Sequence, residues 1–149
     1  MVKKAFLLSV VLTLVMVTAV AASGVTEVQW DGEGYPEAVW VYLDNDKGVD
    51  GRLGNADGDD FFNSILINLD DRGPFDGSIG DENKDKQYDT VWLDGDGDGL
   101  VDWGELYTLS ETAAEALTND LVTSLDDRED DDYIAVVVYV KEYLTNFTP

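Results

Sequence analysis

The chain alternates between short apolar runs and acidic, glycine-bearing segments, and this alternation occurs three times. Each apolar run is rich in Val, Ile, Trp or Tyr and ends in a Leu-Asp pair. The three copies cover residues 38–50, 65–76 and 90–102. The leucines of the three pairs, Leu43, Leu69 and Leu93, are 26 and 24 residues apart. Apolar runs between turn-forming residues predict β-strands, and the nearly regular spacing predicts an internal repeat.

Three further segments have a readable pattern. Residues 25–30 alternate as a half-buried strand does, and the continuous apolar run within residues 133–143 predicts a completely covered strand. Thr112 and Glu115 have the spacing of a helix capping box. Four apolar residues recur there on one face of a helix, namely Ala113, Leu117, Leu121 and Leu125. The sequence therefore predicts a mainly β or α+β fold, a β-sandwich-like domain with one helix.

Residues 94–105 read Asp-Gly-Asp-Gly-Asp-Gly-Leu-Val-Asp-Trp-Gly-Glu. Counted from Asp94, carboxylates stand at positions 1, 3, 5, 9 and 12, and a glycine stands at position 6. Calcium takes about six to eight oxygen ligands, and alternate carboxylates converge on one ion when the chain winds around it. Gly99 permits the sharp turn that this requires.

This segment resembles the calcium-binding loop of the EF-hand family at every diagnostic position. Dockerin-like modules and propeller repeats are similar over residues 94–102, and Glu105 favours the EF-hand form. The resemblance implies that this segment binds calcium. The ligands that it implies are Asp94, Asp96, Asp98, the carbonyl of Leu100, Asp102 either directly or through water, and Glu105 with two oxygens. EF-hand loops normally lie between two helices, but the β-prone residues 88–93 precede this one. We therefore expect a strand-loop-helix arrangement with a single loop.

Other acidic segments match the same pattern less completely. Their candidate metal ligands are Asp44, Asp46, Asp50, Asp57, Asp81, Asn83, Asp85 and Asp89. In the segment that begins at Asp81, Lys86 stands at the glycine position. In the segment that begins at Asp46, Gly48 replaces a ligand, and Asp57 falls at position 12. These residues are a second set of calcium candidates.

The first residues have the composition of a secretory signal peptide. Lys3 and Lys4 precede an apolar stretch over residues 5–20, and Ala19-Val20-Ala21 at its end has the small residues of a cleavage site. We expect cleavage after Ala21, with the bond after Ser23 as the alternative. A single mature domain over residues 22–149 would then lie outside the cell or on its surface. A retained signal anchor is the competing interpretation.

The composition narrows the classes of function. The chain has 32 acidic and 9 basic residues, a net charge of −23, and neither cysteine nor histidine. The charge disfavours nucleic acid and anionic membranes as partners. Without histidine or cysteine, the common nucleophilic triads and disulfide frameworks are impossible. Asp outnumbers Glu by 23 to 9, which suits ion-binding loops, although a salt-adapted surface would also be acidic.

These observations predict a secreted calcium-binding protein that is not an enzyme and whose calcium is mainly structural. One alternative is an extracellular subunit that assembles in the presence of calcium into a filament, tubule or surface layer, as a homo-oligomer or polymer. Another is a small secreted hydrolase or carbohydrate-binding module, suggested by four Trp and seven Tyr residues. Core packing explains those aromatic residues equally simply.

Overall fold

The computed structural model describes residues 24–28, 35–44, 48–57, 59–100 and 103–149. The predicted signal peptide, residues 1–21, lies outside these ranges. Within them, no helix has both the length and the apolar character needed to cross a membrane.

Within the described residues, seven antiparallel strands form one sheet, and each of the first six strands pairs with the strand that follows it in the chain. The strands are β1 (Gly24–Val28), β2 (Ala38–Tyr42), β3 (Gly51–Gly54), β4 (Ser64–Ile67), β5 (Gly77–Gly80), β6 (Thr90–Leu93) and β7 (Leu106–Thr108). Successive loops therefore alternate between the two ends of the sheet. The predicted α+β class is confirmed, but the second layer of the domain is helical instead of a second sheet.

The repeat unit is shorter than the sequence pattern indicates. Strands β2 to β6 begin at residues 38, 51, 64, 77 and 90, which gives a period of 13 residues. From β3 to β5, each unit is a four-residue strand followed by a nine-residue loop segment, and β2 is one residue longer with a loop one residue shorter. Two units make 26 residues. The second leucine spacing is 24 instead of 26 because Leu43 and Leu69 lie beyond the ends of their strands, whereas Leu93 is the last residue of β6.

Two of the strands that the sequence pattern misses, β3 and β5, are rich in glycine. A Cβ atom on Gly51 would lie 2.6 Å from a methyl carbon of Val137, and one on Gly77 would lie 3.0 Å from a methyl carbon of Leu144. Both contacts are with a helix on the core face of the sheet. The glycines that weaken the strand pattern therefore allow this helix to approach the sheet closely.

The helix in question is α2 (Asp130–Thr145), and it corrects the strand predicted over residues 133–143. Tyr133, Val137, Val140 and Leu144 are buried at helical spacing, whereas Val138 is exposed. Glu129 and Asp132 form a capping box before the apolar run. The β-branched composition was misleading because packing of one helical face against the sheet outweighs intrinsic strand propensity.

The predicted helix over residues 112–125 is confirmed as α1 (Glu111–Ser124), but its cap differs. Ser110, and not Thr112, is the N-cap residue, and its hydroxyl accepts a hydrogen bond from the Ala113 amide. Leu117 and Leu121 are buried in the core. The described part of the domain thus has two α-helices, where the sequence pattern predicts one.

The core lies between the sheet and the helices. Its centre is a row of fully buried side chains that crosses five strands, namely Val39, Leu53, Ile65, Ile79 and Val91. Phe62 and Tyr133 pack edge to face in the same core, and Phe61 stacks on Tyr88 at 4.8 Å between ring centroids. These four aromatic residues therefore have the core-packing role.

Candidate metal centre

The segment with the complete calcium pattern joins β6 to β7 at one end of the sheet. It leaves β6 after Leu93 and returns through a single 3-10 turn, Trp103–Glu105, directly into β7. The expected exit helix is thus reduced to one turn that leads into a strand. This turn has the important effect of bringing Glu105 back to the start of the loop.

Asp94, Asp96 and Asp98 converge. One carboxylate oxygen from each lies within 4.8 Å of the other two. Asp94 accepts hydrogen bonds from the amides of Gly97 at 2.7 Å and Gly99 at 2.8 Å, so the chain turns around its side chain. Two further backbone amides fix the other side chains: Asp98 donates to Asp96 at 3.1 Å, and Leu100 donates to Asp98 at 2.8 Å.

Glu105 closes the open side of this loop. Its Oε1 accepts hydrogen bonds from the amides of Gly95 at 2.7 Å and Asp96 at 3.3 Å. Its Oε2 is buried and has no hydrogen-bond partner among the residues that the structure describes. A buried carboxylate oxygen without a partner is costly, and a cation is a partner that such an atom can take.

Backbone conformation supports the roles that the sequence assigns to the other loop residues. Gly97 and Gly99 have φ angles of +78° and +76°, in the left-handed region that glycine tolerates best. The Leu100 side chain is 65% exposed, as expected for a residue that offers a carbonyl group. Asp102 lies outside the described residues.

The electrostatics of the cluster are uneven. Burial raises the pKa of Asp94, but hydrogen bonds from the amides of Gly99 and Gly97 outweigh it and hold this pKa below its ordinary value. The Asp98 amide lowers the pKa of Asp96, yet burial and the neighbouring carboxylates together bring this pKa above its ordinary value. The cluster therefore carries unfavourable negative charge at Asp96 that a bound cation would offset.

The segment 81–89, at the opposite end of the sheet, folds in the same way as the loop that begins at Asp94. Asp81 is buried and accepts hydrogen bonds from the amides of Asp85 and Lys86. Lys84 and Lys86 adopt φ angles of +63° and +65°, the conformation that Gly97 and Gly99 adopt in the other loop. A lysine at the glycine position therefore does not prevent this turn.

The remaining candidates of this segment make local hydrogen bonds. Asn83 accepts a bond from the Asp85 amide and donates one to an Asp85 carboxylate oxygen. Asp89 accepts a bond from the Thr90 hydroxyl. These contacts turn the chain, but the carboxylates of segment 81–89 do not form a converging group like that of Asp94, Asp96 and Asp98.

The interpretation of residues 46–57 as one calcium loop is wrong. Strand β3 separates Asp50 from Asp57, so the two side chains lie at opposite ends of the sheet. Asp57 contacts Lys84 instead, at 3.3 Å. Asp44 is exposed in the loop that contains Asp50, and Asp46 lies outside the described residues.

Asp50 belongs to a structural pattern that also includes Asp76. Asp50 accepts a hydrogen bond from the Leu43 amide at 2.6 Å, and Asp76 accepts one from the Leu69 amide at 2.5 Å. Burial raises the pKa of both carboxyls, although these hydrogen bonds lower it. The 13-residue period was the sequence feature that could have identified Asp76, because it lies two units after Asp50.

No protein-family model matches this chain, and the searches of curated proteins and of solved structures found no match either.

Proposed function

We propose that this protein binds calcium in the segment 94–105. The principal support is the convergence of Asp94, Asp96 and Asp98, together with a buried Glu105 oxygen that lacks a partner within the described chain. All of these donors are hard oxygen atoms, which suit calcium better than zinc or copper. Glu105 would supply its free Oε2, and the Leu100 carbonyl and Asp102 would complete the shell.

The ion would be mainly structural. The segment joins β6 to β7, and β7 is a three-residue strand at the edge of the sheet. Calcium would hold the end of β6, the 3-10 turn and the start of β7 in one arrangement. A ligand that binds only the folded state stabilises that state, and this chain has no disulfide bonds to do so.

The place of action we propose is outside the cell. The basic and apolar first residues support this proposal. Extracellular calcium modules bind with affinities on the order of 10⁻⁴–10⁻³ M. At external calcium concentrations such a site would be occupied, and the folded domain would be stabilised where it works.

The test is thermal unfolding of metal-free protein with and without calcium. Millimolar calcium should raise the melting temperature, and magnesium at the same concentration should raise it less, because it demands a tighter octahedral shell. The control variant Asp120→Asn should show the same calcium-induced rise in melting temperature as the wild type, since Asp120 lies in α1, outside the segment. Equal shifts with both ions, or no shift, would contradict the proposal.

A second candidate function is calcium-dependent self-assembly, favoured by the open sheet. On its outer side, β1 has no strand partner among the described residues, so its backbone groups are available to another chain. Repulsion between strongly acidic molecules would oppose pairing until calcium neutralises part of the charge. Light scattering should increase when calcium is added and decrease with chelator. A constant monomer size at all calcium concentrations would remove this candidate.

A further inference from the structure

The 13-residue period assigns ligand positions to a loop that the calcium pattern alone does not mark. Loop segment 55–63 lies between β3 and β4, at the end of the sheet opposite segment 94–105. Oxygen-bearing side chains occupy positions 1, 3, 5 and 9 of both segments. They are Asn55, Asp57, Asp59 and Asn63 in the first, and Asp94, Asp96, Asp98 and Asp102 in the second. Two of the four in segment 55–63 are amides, which hides the similarity.

The side chain at position 1 of this segment has an unsatisfied oxygen. Asn55 is only 1% exposed, and its Nδ2 donates a hydrogen bond of 2.6 Å to the Asp59 carbonyl. This hydrogen bond holds the side-chain amide of Asn55 against the backbone of the loop. The Asn55 Oδ1 is buried and has no hydrogen-bond partner in the part of the chain that the structure describes. A cation in the loop would satisfy this atom.

The next loop segment along the chain, 68–76, also has an asparagine at position 1, but its set of candidate ligands is incomplete. Asn68 also stands at position 1, is 6% exposed, and has a buried Oδ1 without a partner among the described residues. However, Arg72 occupies position 5, where segment 55–63 has Asp59. A guanidinium group cannot coordinate a cation, so segment 68–76 serves here as the matched comparison.

Two lysine side chains already form ion pairs with the carboxylates of segment 55–63. The Lys84 ammonium lies 3.3 Å from Asp57, and the Lys86 ammonium lies 3.7 Å from Asp59 and 2.9 Å from Asp60. These ion pairs are solvent-exposed, and such pairs contribute little stability. They can therefore be exchanged for a divalent ion that also reaches the Asn55 oxygen.

We propose that a second divalent cation of the calcium class binds in segment 55–63. Asn55 Oδ1, Asp57 and Asp59 are its side-chain ligands, and the ion displaces the lysines from these carboxylates. Asn63 positions Asp57, because its Nδ2 donates a hydrogen bond of 3.1 Å to the Asp57 carboxylate. This inference uses residues separate from segment 94–105 and does not depend on the ion proposed there.

Equilibrium dialysis of the metal-free full chain against calcium tests the proposal by counting bound ions. The wild type should bind two. Asp57→Asn/Asp59→Asn should bind one, because the isosteric amides lose the charge but retain hydrogen-bonding capacity. Asp96→Asn/Glu105→Gln should also bind one, at the remaining segment. The control Asp70→Asn, at position 3 of segment 68–76, should still bind two.

The outcomes separate the two sites. If Asp57→Asn/Asp59→Asn binds as many ions as the wild type, the inference is overturned, whatever happens at segment 94–105. If that variant loses one ion while Asp96→Asn/Glu105→Gln loses none, the inference stands and the proposed function of segment 94–105 fails. Circular dichroism of each variant with chelator checks that the fold is retained.

A second variant tests the site by strengthening it. Lys84→Gln/Lys86→Gln removes the competing ammonium groups, and the affinity for the second ion should rise by about three- to tenfold, the range expected for two exposed ion pairs. An unchanged or lower affinity would place the ion away from these carboxylates and overturn the inference.

Discussion

Glu105 accepts a hydrogen bond of 2.7 Å from the backbone amide of Gly95, and so it ties the end of the candidate calcium segment to its beginning. In two other loops the equivalent amide, at position 2, donates to the aspartate at position 9: Leu43 to Asp50 and Leu69 to Asp76. Glu105 thus takes over a structural role found elsewhere in the repeat. It also keeps its second carboxylate oxygen buried and free of any partner among the described residues.

This double role predicts the result of Glu105→Gln. If the single amide oxygen keeps the Gly95 hydrogen bond, the amide nitrogen occupies the Oε2 position, where it cannot coordinate calcium. The calcium affinity should fall by roughly tenfold or more, which is about 1.4 kcal/mol, with little change in the stability of the metal-free protein. Asp102→Asn should have a smaller effect, since position 9 often binds through water. Competition with a fluorescent chelator measures both variants, and a greater loss with Asp102→Asn would contradict the EF-hand form of the site.

Calcium affinity should depend on pH through Asp96. Calcium binds the ionised carboxylate, and the pKa of Asp96 lies above the ordinary value of 3.8. As the pH falls, protons should therefore begin to displace calcium at a higher pH than for an ordinary aspartate. Asp96→Asn should bind more weakly at neutral pH and should lose this part of the pH dependence. If the variant keeps the pH profile of the wild type, Asp96 is not the titrating ligand.

Protonation of Asp96 weakens calcium binding, whereas protonation of Asp50 should stabilise the folded protein when calcium is absent. The pKa of Asp50 is raised in the folded state, so the folded protein binds more protons than the unfolded chain between the ordinary value of 3.8 and the raised value. This contribution stabilises the fold as the pH falls through that window and is lost as the pH rises. Asp50→Asn should remove this contribution because an amide does not ionise. The fold should be retained, since the amide oxygen can still accept the Leu43 hydrogen bond. Urea unfolding with chelator at several pH values should show a flatter profile for the variant.

Close packing of α2 on the sheet makes Gly51 sensitive to substitution. Gly51→Ala should lower the free energy of unfolding by about 1–3 kcal/mol, because the new Cβ would meet the Val137 methyl groups. Gly80→Ala is the matched control in another strand, where the nearest atom to a new Cβ is 3.7 Å away. Urea unfolding of both variants checks this. Equal losses of stability would show that the approach of α2 is not what requires glycine at residue 51.

The sequence predicts the apolar strands and α1 because their patterns are strong and local. It misses β3 and β5, whose glycines at residues 51 and 77 are explained only by the helix that packs on them. It mistakes α2 for a strand for a related reason. Ala135 to Val140 is β-prone, and only the buried positions of Val137, Val140 and Leu144 in the fold show helical packing.

The candidate site is predicted more completely than the fold, because its ligands lie within one short segment. Asp94, Asp96 and Asp98 converge as their spacing predicts, and Glu105 returns to the loop as position 12 requires. Grouping Asp50 with Asp57 was wrong, since spacing along the chain cannot show that a strand as short as β3 separates two loops. The 13-residue period would have shown it, but amide and basic substitutions at the ligand positions conceal that period.

The most direct test of the account is a calorimetric titration of metal-free protein with calcium at physiological salt. Saturable binding should appear at sub-millimolar to millimolar calcium, and Asp96→Asn/Glu105→Gln should lose the component that belongs to segment 94–105. Absence of any binding at millimolar calcium, or an isotherm that this double variant leaves unchanged, would contradict a calcium site in segment 94–105.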